Sequence, residues 1–158
     1  MSIDIGLSPK QLEGSITLLN RVLADEFILY VKVRKYHWNV KGTHFNDLHK
    51  FFQSLYEDLD NVVDSVAERV RAVGGDAVGT TAEYVNLTRL PEEPGNYPVA
   101  KDMIANLVTL HEIIIKEIRV DVETCQNILV DAGTADFLTG IMEIHEKSAW
   151  MLRSMISE

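Results

Sequence analysis

A single cysteine, Cys125, stands in the 158 residues, so no internal disulfide can form. No basic segment followed by an apolar one opens the chain, and the expectation is a reducing, cytoplasmic setting. Purely apolar runs last only a few residues, far short of the roughly 20 that span a bilayer, which predicts a soluble protein without a membrane partner. Strand signals, internal repeats and low-complexity tracts are all missing. Basic residues are also scarce, with 15 Lys and Arg against 24 Asp and Glu and a formal net charge of −9. That balance opposes nucleic acid and anionic lipid and favours cations, metal ions among them.

What the chain does have is helical periodicity and enough apolar mass, 46% of residues, for one ordinary domain spanning 1–158. Ser8-Pro9-Lys10-Gln11 is a helix start: Ser8 caps, Pro9 suits the first position, Gln11 completes a capping box and Leu7 can staple to Leu12. The first helix, about 9–41, carries Leu12, Ile16, Leu19, Leu23, Tyr30 and Val33 on one stripe, and His37 continues it. Gly42 stops that helix and Thr43 caps the second, about 44–73, which Gly74-Gly75 ends. The join is short, so the two helices should be antiparallel neighbours.

Residues 74–97 read as a crossover, because Pro91, Pro94 and the nearby Pro98 gather there, while Thr80 and Glu83 form a second capping box for a short helix through Leu87. A link of that size can return along a helix of about 30 residues, roughly 45 Å. A third helix over about 98–130 carries Ile104, Leu107, His111, Ile114, Ile118 and Val122. Thr134 is expected to cap a fourth, running to 157 with Leu138, Ile141, His145, Ala149, Leu152 and Ile156 inward. The fold class is therefore all-α, a ferritin-like four-helix bundle with one long crossover that contains a short helix.

The second helix has two faces. At about 100° per residue, Phe45, Leu48, Phe52, Leu55, Leu59, Val62, Val66, Val70 and Val73 share the stripe that packs inward. His49, Gln53, Asp60, Asp64 and Glu68 fall on a neighbouring polar face. Two carboxylates one turn apart make an ordinary solvated surface, but carboxylates with imidazole are a ligand set for iron, manganese or zinc. His49 and Asp64 are 15 residues apart, about 22 Å along one straight helix, whereas two ligands of one ion lie within about 4 Å of each other. One chain cannot bring them to one ion. Two copies of this helix packed antiparallel, crossing near residue 57, can do so twice, and His37 can join His49 from its own side. A centre inside the bundle would need Glu-x-x-His pairs, and none of His37, His44, His49, His111 and His145 has an acid three positions before it.

Tyr36-His37-Trp38-Asn39-Val40-Lys41-Gly42, then His49, then Asp64-x-x-Ala67-Glu68-Arg69, resembles the signature of the Dps family of mini-ferritins, and the likeness runs on to Trp150. The resemblance implies a hollow dodecamer built from two-fold dimers that oxidises Fe(II), with hydrogen peroxide or oxygen, and stores a ferric mineral, protecting against oxidative damage. It implies a ferroxidase centre at the dimer interface, with His37 and His49 from one subunit and Asp64 and Glu68 from the other. At Gln53, where the family usually has an acid, this chain carries no charge; Gln53, Asp60 and Trp38 are second-site or near-site candidates. The lysine-rich tail of DNA-binding members is missing too, since only Lys10 lies near the start, and direct DNA binding is not expected. A zinc or manganese holder, or a nucleoid-associated shell without iron turnover, is the alternative on the same ligands.

Other residues have plainer readings beside functional ones. Trp38 can shield the centre or simply pack at a helix end. His111 and His145 read as hydrogen-bonded core histidines, His44 as surface and Cys125 as a small core residue. Asp131 and Asp136 flank the last interhelical turn: the resemblance makes them candidates for an iron-admitting pore on a three-fold axis, and the helix dipole alone would also favour acids there.

Overall fold

A computed structural model describes residues 3–157. Five α-helices follow in order: α1 (Pro9–Asn39), α2 (Phe45–Ala72), α3 (Thr81–Leu87), α4 (Ala100–Thr124) and α5 (Ala132–Ile156), with a π turn over Cys125–Leu129 between the last two. The long helices α1, α2, α4 and α5 make the bundle. α1 pairs along α2, α4 along α5, and α3 lies in the crossover against α1. Among the described residues no helix is long and apolar enough to cross a membrane.

The core is built from the expected stripes. Leu19, Leu23, Leu29, Phe52, Leu59, Leu107, Ile114, Ile118, Leu138 and Leu152 are wholly or almost wholly buried, and Cys125 is buried among them. Both capping boxes form. The Ser8 N–H donates to Gln11 Oε1 at 2.7 Å, and the Thr80 N–H donates to Glu83 Oε2 at 2.9 Å. Gly42 stands at φ +115, backbone that a side chain would disfavour, and lets the chain reverse within a few residues.

Four boundary expectations need correction. α1 ends at Asn39, because Val40 turns extended (φ −62, ψ 141) and its N–H closes on Tyr36 O. α2 begins at Phe45 with His44 in the cap position and no side-chain cap bond, so Thr43 does not cap it. α4 begins at Ala100, after an extended Val99, and gives way at Cys125 to the π turn. The cap of α5 is Asp131, not Thr134: Asp131 Oδ1 accepts the Thr134 N–H at 2.9 Å, and Oδ2 accepts the Thr134 hydroxyl at 2.6 Å. The helix has already started at Ala132, so Thr134 supplies the third amide that a cap must satisfy.

A cation that no local pattern announces helps to hold the crossover. Arg89 donates from Nε to Asp25 Oδ2 and from Nη1 to Asp121 Oδ2, both at 2.7 Å, and its backbone N–H reaches Asp25 Oδ1 at 2.6 Å. Its Nη1 also meets Glu117 at 3.1 Å. Arg89 thereby ties the connection to both α1 and α4.

Candidate metal centre

His37 lies in the last turn of α1 and is 8% exposed, while His49 lies half-buried in the second turn of α2. The Gly42 reversal brings them together, and their rings stack with centroids 3.8 Å apart and planes 20° from parallel. His37 Nδ1 lies 2.7 Å from the carbonyl oxygen of His49, and His49 Nδ1 lies 2.8 Å from that of His37. A carbonyl only accepts, so each Nδ1 must carry the hydrogen. In the neutral rings the lone pair is then on Nε2, the nitrogen able to ligate a metal. A backbone carbonyl behind a ligating imidazole is the arrangement that fixes tautomer and ring orientation in metal sites. The His37 carbonyl is one of those a helix leaves unpaired at its C-terminal end, so His49 also completes the end of α1.

Aromatic side chains brace this pair. The Tyr56 ring meets His37 edge-on at 5.2 Å, and Phe45 leans on His49 at 5.1 Å. Arg34 lies over Tyr56 at 4.7 Å and over Trp38 at 5.4 Å, and its Nη1 donates to the Tyr30 hydroxyl at 2.6 Å. That hydrogen bond first, and the Asp60 carboxylate among the weaker causes, favours the charged guanidinium. Trp38 is 63% exposed, so it belongs to the surface around the histidines rather than to the core. Tyr56 and Arg34 escaped the sequence reading; the signal was their spacing, Arg34 three residues before His37 and Tyr56 seven after His49.

Asp60, Asp64 and Glu68 are exposed on α2, on the side of the helix that also bears His49 and Gln53. Along α2, Asp64 is about 22 Å and Glu68 about 28 Å from His49 by rise per residue. Among the described residues no three His, Cys, Asp or Glu side chains converge on a point within one chain. Gln53 does not stand idle: its amide donates to Glu57 Oε1 at 2.8 Å.

The remaining candidates separate. Asp136 is exposed near the start of α5. Asp131 is buried, and besides capping α5 it accepts from Ser15 Oγ at 2.8 Å and lies 3.6 Å from Arg69 Nη2. Burial alone would raise its pKa; the bonds from Thr134 and Ser15 and the Arg69 charge outweigh it and hold the carboxyl below its usual range. Its carboxylate is committed to the fold, so a pore reading rests on Asp136 alone. His44 is exposed, and His111 and His145 lie wholly inside the bundle, in contact with each other.

Comparison with known proteins places these residues in context. The Ferritin-like domain family matches residues 16–158. An uncharacterized low temperature-induced protein of Nostoc sp. is 47% identical over 154 residues, covering 98% of this chain and 86% of the relative. DNA protection during starvation protein 2 of Bacillus anthracis is 35% identical over 143 residues, 90% of this chain and 97% of that one. The crystal structure of a Dps protein from Vibrio cholerae O1, described as a member of a broad superfamily of ferritin-like diiron-carboxylate proteins, superposes with a TM-score of 0.90 at 26% identity, over 99% of this chain and 98% of that chain.

Proposed function

The chain belongs to the Dps family of ferritin-like proteins, and on that premise we propose that two copies, paired across a two-fold axis, oxidise Fe(II) at shared sites and store the ferric product in a closed shell, a dodecamer. The observation that carries the proposal is the reciprocal bonding of His37 and His49, which points both Nδ1–H groups at backbone and leaves both Nε2 atoms for metal. Asp64 and Glu68 of the partner subunit complete the set when the two α2 helices cross antiparallel near residue 57. Carboxylates suit both oxidation states of iron, while neutral imidazole retains Fe(II) before oxidation. The acidic surface, from a net charge of −9 per chain, draws the cation in.

The redox step balances with hydrogen peroxide as oxidant. Two Fe(II) ions each give up one electron, the peroxide O–O bond accepts both as it breaks, and two protons complete two waters. Delivery of both electrons together avoids hydroxyl radical, which is the protective outcome. Oxygen is the alternative oxidant. With a net charge of −9 per chain, the shell protects by removing iron and peroxide rather than by coating DNA.

One observation favours a second reading. Gln53 is uncharged and its amide is engaged by Glu57, which suits a site that holds zinc or manganese without turnover. Stopped-flow oxidation of Fe(II) by peroxide, on a size-defined oligomer whose resident metals have been analysed, separates the two. Rapid oxidation ending in a ferric mineral supports the ferroxidase; bound zinc or manganese with no rate above that of free Fe(II) contradicts it.

A further inference from the structure

Three ionisable side chains that the metal centre does not use meet in the middle of the bundle. Glu26 comes from α1, His145 from α5 and His111 from α4, and all three are 0% exposed. His145 Nε2 lies 2.8 Å from Glu26 Oε1, and His145 Nδ1 lies 2.8 Å from His111 Nδ1. The row ends in two buried polar atoms with no partner, Glu26 Oε2 and His111 Nε2. α2 buries only apolar side chains, Leu59, Val62 and Val66 among them. The groups facing His111 are therefore His145 from α5 and, behind it, Glu26 from α1. Asp25 and Asp121, the other buried acids of α1 and α4, are occupied by Arg89.

Proton counting decides what this row tolerates. The short contact between two Nδ1 atoms needs one hydrogen between them, one ring donating and the other accepting. With three protons on its nitrogen and oxygen atoms the row is electrically neutral, with Glu26, His145 and His111 joined in series. A fourth proton must either set N–H against N–H between the rings or remove the negative charge on Glu26 that balances an imidazolium. Both leave a net positive charge in an apolar interior. Burial, and then the neighbouring charge of His145, push the His111 pKa well below its ordinary value.

We propose that Glu26, His145 and His111 form an acid-sensitive tie that joins α1, α4 and α5 at neutral pH and releases on acidification, loosening the α4–α5 pair from within. The sign follows from linkage. Unfolded His111 takes up a proton below about pH 6.5 and the folded chain resists it, so the contribution to stability is complete above that pH and is lost as pH falls below it. Along α1, Glu26 is about 16 Å from His37 by rise per residue, and the tie is independent of whether the paired histidines serve iron oxidation.

Hydrogen exchange of the assembled protein, read by mass spectrometry on α4 and α5 peptides and corrected for intrinsic rates, tests the tie. Protection should fall by up to about tenfold per pH unit between about pH 6.5 and 5.5. In His111→Gln, which can still bond to His145 but does not titrate, the fall should be absent. His37→Ala/His49→Ala should retain it. A flat wild-type profile, an equal fall in His111→Gln, or disappearance of the fall in His37→Ala/His49→Ala would each overturn the proposal. Where His111→Gln does not assemble, a flat wild-type profile or loss of the fall in His37→Ala/His49→Ala still overturns the proposal.

Discussion

His37 and His49 each donate a ring Nδ1–H to the other's backbone carbonyl, at 2.7 and 2.8 Å. The pair is thereby oriented before any metal arrives, by the same bonds that close α1 onto α2. Loss of one ring removes both a ligand and the brace of the other. His49→Ala is therefore expected to lower Fe(II) affinity at least as much as loss of an outer brace, about 10–100-fold. Anaerobic titration calorimetry with Fe(II) checks this; unchanged affinity would remove His49 from the site.

Arg89 lies between two buried acids, with 14% of its side chain exposed against 1% for Asp25 and 4% for Asp121, and Arg21 also reaches Asp121, at 3.7 Å. Burial raises the pKa of both acids even with the guanidinium opposing it. Arg89→Met should strand Asp25, leave Asp121 with only the longer Arg21 contact, and cost about 3–5 kcal/mol, read as a shift in urea midpoint. A loss below about 1 kcal/mol would place the crossover's stability elsewhere.

Cys125 is a buried thiol whose pKa is pushed up to about 11, by burial first and then by the charges of Asp131 and Asp121. The unfolded thiol ionises near pH 8.5, so the fold is unaffected below that value and loses stability as pH rises from there towards the folded pKa. By pH 10 the wild type should have lost about 1–2 kcal/mol more than Cys125→Ala, by denaturant titration at each pH. The native thiol should also resist aromatic disulfide reagents at neutral pH.

Val130 ends the π turn at φ 53 and ψ 35, a left-handed conformation that a β-branched residue adopts at a cost of about 1–2 kcal/mol. Its side chain is 64% exposed and contributes little packing. Val130→Gly should raise stability by about 0.5–1 kcal/mol after the added freedom of the unfolded glycine is offset. A lower melting temperature in that variant would show that the exposed valine is packed in the assembly.

The bundle was legible because its information is periodic. Leu107, Ile114 and Ile118 repeat at helical spacing, and Ser8 with Gln11 and Thr80 with Glu83 are complete capping signals within four residues. Arg89 was not legible, because its acids lie 64 residues before and 32 after it and nothing local marks the three as partners. The start of α5 misled for a different reason. Asp131 and Thr134 are both good caps, and the choice between them depends on where the π turn releases the chain. At the candidate metal centre, spacing could nominate the histidines and carboxylates, but not the carbonyl acceptors that His37 and His49 meet, since backbone carries no sequence signature. Nor did periodicity reveal that His111 and His145, each simply inward on its own helix, would touch.

If one site draws on two chains, mixed assemblies reveal it directly. His37→Ala/His49→Ala lacks the imidazoles, Asp64→Asn/Glu68→Gln lacks the carboxylates, and each alone should lose rapid peroxide-driven Fe(II) oxidation while still assembling. A dimer of one chain of each kind has one site with all four ligands and one with none. Co-refolding the two variants should therefore restore a substantial fraction of the wild-type initial rate. Two inactive parents that stay inactive when mixed, with hybrid dimers confirmed by native mass spectrometry, would contradict a shared site.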